Sequence, residues 1–467
     1  MTESVTAEQD GLPAPQRYGS AATIWLALTI SVLDGSIANV ALPTIAGDLS
    51  APAAEAVWVV NAYQLAIVVS LLPMAAIGEM VGFRRVFQVG IVVFTFGSLG
   101  CAFAHSLPML AFARAIQGFG AAGIMSQNGA LVRFTYPSRM LGKGLGLNAL
   151  VASAGAALGP TVASGILAVG TWQWLFAVNI PIGILTFLLG RRFLPDNPKS
   201  GSFDLNGTVL NAFMFGFGFI GIDLLTRGGN VWVGLAALFV GAGSGLLLVL
   251  HSRSQLQPIV PFDLLRNPVF SLSVATSIAS FAAQMLAFVS LPFFFEGVLH
   301  RTQVETGLLM TPWPLAVGIG APVAGRLADT ASAAVLSASG LIVLCLGLAL
   351  LADLPGSPSW ADIAWRMALC GLGFGFFQAP NNRSMLSAAP LDRSGAAGGM
   401  LATARLTGQT VGAILAAISF RIAEHSETVA LATAAVLAGV AAIASAARLY
   451  HPDGARPPTP AIVSDAP

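Results

Sequence analysis

The chain reads Leu33-Asp34-Gly35-Ser36-Ile37-Ala38-Asn39-Val40-Ala41-Leu42-Pro43 within an apolar run that extends from about residue 21 to residue 45. A carboxylate at bilayer depth costs at least ~2.5–3.5 kcal/mol on insertion scales. Ionisable groups that persist there face a bundle interior or a water-filled cavity, and they commonly carry protons or bind substrate. The alternative is a structural acid that a neighbouring group neutralises. Asp34 is therefore the first candidate functional residue, and its segment is the first candidate membrane span.

The composition indicates the solvent in which the chain folds. Hydrophobic residues make up 55% of the 467 residues and charged residues 9%. Soluble domains carry roughly a quarter charged residues and need far more polar surface than this. The chain is therefore predicted to be a polytopic membrane protein. Its net charge of +1 comes without a basic stripe, which excludes nucleic acid as a partner. No basic segment precedes the first apolar run, so we expect that run to be a retained span.

Helical spans can be counted directly from the apolar stretches. A helix needs about 20 mostly apolar residues to cross a bilayer. Fourteen stretches meet this requirement, and the connections between them are short. They cover residues 20–46, 56–78, 86–104, 108–131, 142–168, 172–193, 207–226, 231–251, 268–295, 304–327, 332–352, 361–382, 396–420 and 428–448. We therefore predict an all-α polytopic membrane protein with fourteen transmembrane helices.

The basic residues support this count independently. Cytoplasmic loops of membrane proteins carry the excess of Lys and Arg. With fourteen spans, sixteen Lys and Arg residues fall on the side of the two termini and four on the opposite side, while Arg114 and Arg405 lie within spans. A missed span would scramble this distribution. Both termini are therefore predicted to be cytoplasmic.

Two polar linkers divide the chain into units. They bracket the seventh and eighth spans, and so separate a helical hairpin from six spans before it and six after it. The predicted units are cytoplasmic tails at 1–19 and 451–467, six-helix bundles at 20–193 and 268–450, and the linkers with the inserted hairpin at 194–267.

An acid and two arginines lie close together after the second span, in Gly78-Glu79-Met80-Val81-Gly82-Phe83-Arg84-Arg85. An acid at a helix C-terminus is unfavourable for the helix dipole unless cations compensate. We interpret Glu79, Arg84 and Arg85 as a gating latch that joins a helix end to its neighbour in one conformation and releases it in another. The alternative, anchoring by positive residues, explains the two arginines but not Glu79.

Span four carries a second deep charge. Arg114 lies about six residues, or roughly 9 Å of helix rise, below the outer end of this span. Asp34 lies about eleven residues below the outer end of span one, so the two side chains are expected to interact directly or through water. An unpaired arginine at such a depth is costly, which calls for a partner or a wet cavity. Arg405, about ten residues into span thirteen, is a further intramembrane cation.

Span five is punctuated by glycine, at Gly146, Gly155 and the pair Gly159-Pro160. Small residues let two helices approach closely. A Gly-Pro pair inside a span removes a backbone hydrogen bond and supplies a bend. We predict a moving joint at Gly155, Gly159 and Pro160, with close packing as the alternative role of the glycines.

Together these segments resemble the major facilitator superfamily, and specifically its fourteen-spanner drug:proton antiporter branch. The resemblance rests on the order and span placement of Leu33-Asp34 through Leu42-Pro43, Arg114-Ala115-Ile116-Gln117-Gly118-Phe119-Gly120, and Gly146 through Gly159-Pro160. It covers almost the whole chain. Glu79 departs from the family pattern, which has an aspartate at that place. The second-half copy of the same loop, Gly325-Arg326-Leu327-Ala328-Asp329-Thr330, lacks the basic tail.

The resemblance implies two six-helix bundles related by a pseudo-two-fold axis along the membrane normal, with substrate near the midplane and alternating access by rocking of the bundles. It implies a proton-coupled exporter of amphipathic, often cationic, drugs, monomeric in the lipid bilayer of the bacterial inner membrane. Asp34 would accept the proton or the cation, Arg114 would bias that titration, and Arg405 would hold a carboxylate or a water wire. The proton gradient would supply the energy, and no cofactor is expected.

Amide side chains within the spans are candidates for the lining of a substrate cavity. They are Asn39, Asn61, Gln64, Gln117, Gln284 and Gln378. For each amide taken alone, hydrogen bonding between helices is the alternative role.

Two other functions remain open on the sequence. One is an importer, or an exporter of a specific metabolite, lipid or siderophore, which the fold alone does not exclude. The other is a membrane enzyme. All five histidines lie at span ends or in loops, and the chain contains no HExxH motif and no phosphate-binding glycine loop. Because the spans carry no paired metal ligands, we predict neither catalysis nor a metal site.

Overall fold

The computed structural model describes residues 11–137, 140–196, 204–226, 230–252, 264–328, 330–389, 394–422 and 426–450. The predicted C-terminal tail at 451–467 lies outside the described residues, as do the first ten residues and parts of both linkers. Every regular element in the described part of the chain is a helix. The predicted all-α class is therefore confirmed for that part.

The helices follow one another along the chain with short connections. They are α1 Ala14–Asp48, α2 Ala53–Ala56, α3 Trp58–Val81, α4 Phe83–Ala102, α5 Leu107–Thr135, α6 Leu141–Val169, α7 Gln173–Ala177, α8 Asn179–Phe193, α9 Leu205–Thr226, α10 Val231–Ser252, α11 Pro268–Phe293, α12 Gln303–Met310, α13 Pro312–Leu327, α14 Ala333–Ala352, α15 Trp360–Ser387, α16 Ser394–Ile422 and α17 Ser426–Ala447. Because α1 begins at Ala14, the predicted tail at 1–19 is helical in its last residues.

Fourteen helical segments lie at the fourteen predicted span positions. Within the described residues, twelve of them are long and apolar enough to cross a membrane. The short helices α2, α7 and α12 each continue into the next helix, so each pair forms one segment. The two segments outside the twelve are α6, of 29 residues, and α15, of 28 residues. Within α6, residues Leu158–Val169 form a shorter apolar stretch.

The helices pack as two groups with the same internal pattern. In the first group α1 packs on α6 and α8, while α4 packs on α5 and α8, and α3 on α5. In the second group α11 packs on α16 and α17, α14 on α15 and α17, and α13 on α15. Each pair in the second group is the counterpart of a pair in the first. This repetition is the arrangement expected for two bundles related by a pseudo-two-fold axis.

The two ends of this assembly can be defined from cross-links between helix ends. At the terminal end, Ser20 and Thr135 are hydrogen-bonded through their hydroxyls at 2.7 Å, and the Arg448 guanidinium donates to Asn381 Oδ1 at 2.9 Å. The start of α1, the end of α5, the end of α15 and the end of α17 therefore lie there. At the opposite end, called the far end below, Trp172 Nε1 donates to Asp48 Oδ2 at 2.7 Å.

The hairpin of α9 and α10 lies against both bundles. Its two helices pack on each other, and α9 also contacts α3 and α16. Asn211 Nδ2 donates to the Val69 carbonyl at 3.0 Å, and the rings of Phe219 and Trp58 meet edge to face at 4.8 Å between centroids. On the other side of the hairpin, large apolar side chains such as Trp232 and Phe239 are exposed. The hairpin is therefore peripheral, with an apolar outer face.

The adjacent helices α14 and α15 provide a test of orientation. Ser332, before α14, is exposed at the terminal end, and Ser357, before α15, is exposed at the far end. We expect Ser357→Cys, in a background without the three native cysteines, to react in intact cells with a membrane-impermeant maleimide. Ser332→Cys should react only after the membrane is permeabilised. The opposite labelling pattern would invert the predicted orientation, and labelling of both in intact cells would contradict the span count.

Candidate functional site: a buried ion pair beside a central cavity

A cavity of about 330 Å³ lies between the two bundles. Helices α1, α3, α5 and α6 form its wall on one side, and α11, α13, α15 and α16 form it on the other. A cavity bounded by both bundles changes shape when one bundle moves against the other. It is therefore the place where substrate binding and bundle motion can be linked.

The cavity contains most of the amides that the sequence singled out. Asn39, Gln64, Gln284 and Gln378 line it. Asn61 and Gln117 are buried but lie outside its lining, so their prediction as cavity residues is corrected here. Gln117 has a different function, because its side chain bonds to Asp34.

Aromatic side chains form the apolar part of the lining, and the sequence analysis did not select them. Phe281 meets Phe374 edge to face at 5.2 Å between ring centroids, and Phe288 meets Trp313 at 5.0 Å. All four line the cavity, together with Tyr63. Aromatic residues are equally common in cores and in cavity walls, so the sequence offers no signal that separates the two roles. Gln409 was also missed, although it lies one helical turn beyond Arg405.

Asp34 and Arg114 form a buried ion pair beside this cavity. Their side chains are each 1% exposed, and Arg114 Nη1 donates to Asp34 Oδ2. The other carboxylate oxygen of Asp34 accepts from Gln117 Nε2 at 2.9 Å and from Asn179 Nδ2 at 2.8 Å. The sequence predicted an interaction between the two charges, and the structure shows direct contact. Asn179 was not predicted.

The environment of Arg114 completes the network. Its Nε donates to the Val59 carbonyl at 3.0 Å, and the guanidinium carbon lies 4.0 Å from the ring centroid of Tyr63. Gln117 Nε2 also donates to Ser98 Oγ at 2.8 Å. Gly97 permits this close approach of α4 to α5, since a Cβ there would lie 2.6 Å from backbone atoms of Gln117. Through these bonds one carboxylate connects α1, α3, α4, α5 and α8.

Tyr63 separates the ion pair from the cavity. One face of its ring covers Arg114, and its side chain is part of the cavity lining. Its hydroxyl donates to the Ser31 carbonyl at 3.1 Å, which fixes the ring against α1. Ser31 and Gly35 line the cavity, whereas Asp34, between them in sequence, does not. Tyr63 therefore contacts both the cavity and the cation that pairs with the buried carboxylate.

Arg405 lies in the cavity itself. It is the one charged residue among those that line the cavity in the described part of the chain. Its guanidinium carbon lies 5.6 Å from the ring centroid of Phe281, and its Nε is buried without a hydrogen-bond partner. Arg405 is thus remote from the Asp34 network and directly accessible to a ligand.

The predicted latch residues are not joined in this conformation. Glu79 and Arg85 are exposed, and Glu79 forms no ion pair with the described residues. Arg84 Nη1 instead pairs with Asp196 Oδ2 at 3.2 Å, and Arg84 Nη2 donates to the Arg191 carbonyl. This contact ties the start of α4 to the segment after α8. The latch remains a prediction for another conformation, and Asp329 of the second-half copy lies outside the described residues.

The predicted joint in α6 lies at a contact between the bundles. A Cβ at Gly159 would lie 2.2 Å from Ser36 Oγ of α1, and a Cβ at Gly307 of α12 would lie 2.6 Å from the Pro160 carbonyl oxygen. Gly155 also lies against α1. The helix runs unbroken through Pro160, so the predicted bend is not an interruption of α6. Close packing explains Gly159, whereas a Cβ at Gly155 would meet its nearest neighbours at an ordinary contact distance of 3.7 Å.

The bundles are closed against each other at the far end. Thr161 of α6 and Thr311, between α12 and α13, are hydrogen-bonded through their hydroxyls at 2.9 Å. One hydrophobic cluster continues from α1 through α7 into α11 and α12, and so crosses from the first bundle to the second. The cavity is therefore separated from the far end in this conformation.

This architecture and its sequence agree with a known family. Residues 24–413 match the Major Facilitator Superfamily. The chain belongs to the Major Facilitator Superfamily. It is therefore a membrane transporter by family and not an enzyme, and the predicted resemblance is confirmed.

Individual relatives show the range of function within this similarity. The chain is 49% identical to the uncharacterized transporter YebQ of Escherichia coli K12 over 95% of its own length and 98% of the relative's. It is 33% identical to the riboflavin transporter RibZ of Clostridioides difficile, over 82% of the chain and 83% of the relative. It is 31% identical to the multidrug resistance protein Stp of Mycobacterium tuberculosis, over 83% and 73%.

The ion pair makes a testable contribution to stability. Arg114→Met leaves a buried carboxylate without its cation, and we expect a loss of about 3–5 kcal/mol, because breaking one half of a buried pair is strongly destabilising. The double variant Asp34→Asn/Arg114→Met removes both charges and should recover much of this loss. The midpoint of thermal unfolding in detergent measures both effects.

The exposed pair of Arg84 and Asp196 provides the control. Arg84→Met should cost no more than ~1 kcal/mol, as expected for an ion pair at the surface. A double variant less stable than Arg114→Met alone would show that the two buried charges do not depend on each other.

Proposed function

We propose that this protein is a proton-coupled exporter of amphipathic organic compounds that works by alternating access. The observation that carries the proposal is the buried Asp34–Arg114 pair beside the central cavity, with the Tyr63 ring in contact with both Arg114 and the cavity. An intramembrane carboxylate beside a substrate cavity is the arrangement by which a proton and a substrate influence each other. Membership of the family makes the protein a transporter, and this geometry supports the proton gradient as its source of energy.

The proposed topology has fourteen membrane-spanning helices, with both termini on the cytoplasmic side of the bacterial inner membrane. Helices α6 and α15 complete the count because each connects the two ends of the assembly. Arg301 Nη2 donates to the Pro358 carbonyl just before α15, and Asn381 near its other end bonds to Arg448. A helix that joins both ends within a bundle must span the bilayer, even where its side chains are polar.

Proton uptake by Asp34 would loosen the first bundle. Asp34 is the sole fully buried Asp or Glu among the described residues. Protonation removes its charge, so the attraction to Arg114 falls and one of its acceptor positions becomes a donor. The bonds that hold α5 and α8 to α1 through this carboxylate then weaken together. Because α1 also forms a cavity wall, this change alters the substrate space.

The lining of the cavity suits small amphipathic organic compounds. Its volume falls at the lower end of ligand pockets, and it combines aromatic faces with a few amides, a composition typical of small-molecule sites. The similarity to the multidrug resistance protein Stp supports export. A transporter of one specific metabolite is the second candidate, favoured by the similarity to the riboflavin transporter RibZ.

The cavity revises the expected charge of the substrate. The sequence suggested a preference for cations, which needs an acidic partner in the substrate space. No Asp or Glu of the described residues lines the cavity, and Asp34 is occupied by Arg114, Gln117 and Asn179. A cation would have to break this network before it could pair with a carboxylate. Neutral and anionic compounds face no such obstacle.

Asp34→Asn tests the coupling. We expect the variant to lose efflux in cells that lack their own exporters, measured with a panel that includes ethidium and riboflavin, because the titratable group is gone. Proton release on addition of a compound that wild type exports should also disappear in purified protein. Asp34→Glu, which keeps a titratable group, is the control and should retain some of both signals. Proton release by monodisperse Asp34→Asn equal to that of wild type would place the coupling at another residue.

Tyr63 tests the route between cavity and carboxylate. Tyr63→Ala should open a water path to Asp34 and raise substrate-independent proton leak several-fold in proteoliposomes that carry a pH gradient. Tyr63→Phe keeps the ring over Arg114 and loses only the hydroxyl bond to Ser31, so its leak should stay near the wild-type level. Equal leak in the two variants would mean that the ring is not the barrier.

A further inference from the structure

Among the described residues, Arg114 and Arg448 are fully buried and both have hydrogen-bond partners, whereas the half-buried Arg405 has none. Arg114 binds Asp34, Gln117 and the Val59 carbonyl. Arg448 donates to Asn381, Ser273 and Ser445, all within the terminal end. Arg405 makes no hydrogen bond and no ion pair with any described residue, and its buried Nε is left unsatisfied. A buried charge without a partner is costly, so its retention in the cavity calls for a partner from outside the chain.

The groups around Arg405 are also free to bind a ligand. Gln284 and Gln378 line the same cavity, and Gln409 lies one turn further along α16. The side chains of these three glutamines make no hydrogen bonds among the described residues. Each offers one acceptor and two donor hydrogens. A guanidinium in a cavity that also offers amide groups suits the recognition of a carboxylate, which accepts two parallel hydrogen bonds from arginine.

Next to this polar group lies an aromatic surface. Phe281 contacts the Arg405 guanidinium and meets Phe374 edge to face, and Phe288 with Trp313 continues the wall. A ligand that fits both parts has a planar apolar body and an anionic group at one end. The cavity of about 330 Å³ holds a compound of two or three fused rings.

We propose that the transported compounds are amphipathic organic anions whose carboxylate, or an equivalent anionic group, binds Arg405. This inference rests on the proposed function, since it takes the central cavity as the substrate site. Export of an anion is favoured by a membrane potential that is negative inside. It also assigns the two charges of the proposed mechanism to different bundles: Asp34 of the first bundle would carry the proton, and Arg405 of the second bundle would hold the substrate.

Three naphthalene derivatives of nearly equal size test the inference. They are 2-naphthoate, the neutral 2-naphthamide and 2-naphthylmethylammonium, each titrated calorimetrically into the purified full-length protein. We expect wild type to bind naphthoate at least tenfold more tightly than naphthamide, and the ammonium compound most weakly. Arg405→Gln should lose this preference for naphthoate and bind naphthamide as before. Arg405→Lys should keep part of the preference, because it keeps the charge without the planar fork.

Arg366→Gln is the matched control, because Arg366 is a cation of the second bundle that pairs with Asp362 away from the cavity. It should leave all three affinities unchanged. Equal or tighter binding of the amide or ammonium compound by wild type would overturn the inference, and so would naphthoate affinity that survives Arg405→Gln. Binding of none of the three compounds would count against it as well.

Efflux in proteoliposomes distinguishes this failure from failure of the proposed function. Transport of the amide or the ammonium compound with proton release, but not of naphthoate, would overturn the anion inference and leave the exporter in place. Absence of transport for these compounds and for every compound of the wider panel would remove both.

Discussion

The first bundle is organised around one carboxylate that cannot meet water. Asp34 is held at a depth where an isolated charge is prohibitive, and it is tolerated because Arg114, Gln117 and Asn179 surround it. Arg114 and Gln117 come from one turn of α5 and Asn179 from the start of α8, so the charge fixes how these helices lie against α1. A hydrophobic core of equal volume would hold them as well, but it would not respond to a proton. Under the proposed proton coupling, the network would exchange some stability for sensitivity to protonation.

Much of the fold is readable from the sequence because it follows from two strong constraints. Apolar length predicts the fourteen helical segments, and the cost of lone charges at depth predicts that Asp34 and Arg114 meet. The site is less predictable, because two residues of the same type can have different roles when they lie on helix faces that point in different directions. Gln117 and Gln378 were indistinguishable in sequence, yet the first binds Asp34 and the second lines the cavity. Tyr63 and Phe281 carried no signal at all.

The conformation itself also limits what a sequence can reveal. Glu79 and Arg84 are close along the chain, but in this state Arg84 is engaged by Asp196 and Glu79 is exposed. When the contacts of a motif form in one conformation and are broken in another, the sequence has no single geometry to predict. The same holds for the glycines of α6: Gly159 serves here as a packing site against Ser36, whatever its part in motion.

The contact of Gly307 with α6 determines what opening the far end requires. Where Gly307 meets Pro160 and Ser164, hardly any side chain separates the two backbones, and Thr161 with Thr311 adds one hydrogen bond. Because so few side chains lie in this contact, its two surfaces can separate and rejoin without a change of side-chain rotamer. The two faces are nearly smooth at this contact, so separating them here would not require interdigitated side chains to unlock. A methyl group added at Gly307 would lie against the Pro160 carbonyl oxygen and hold the two helices apart.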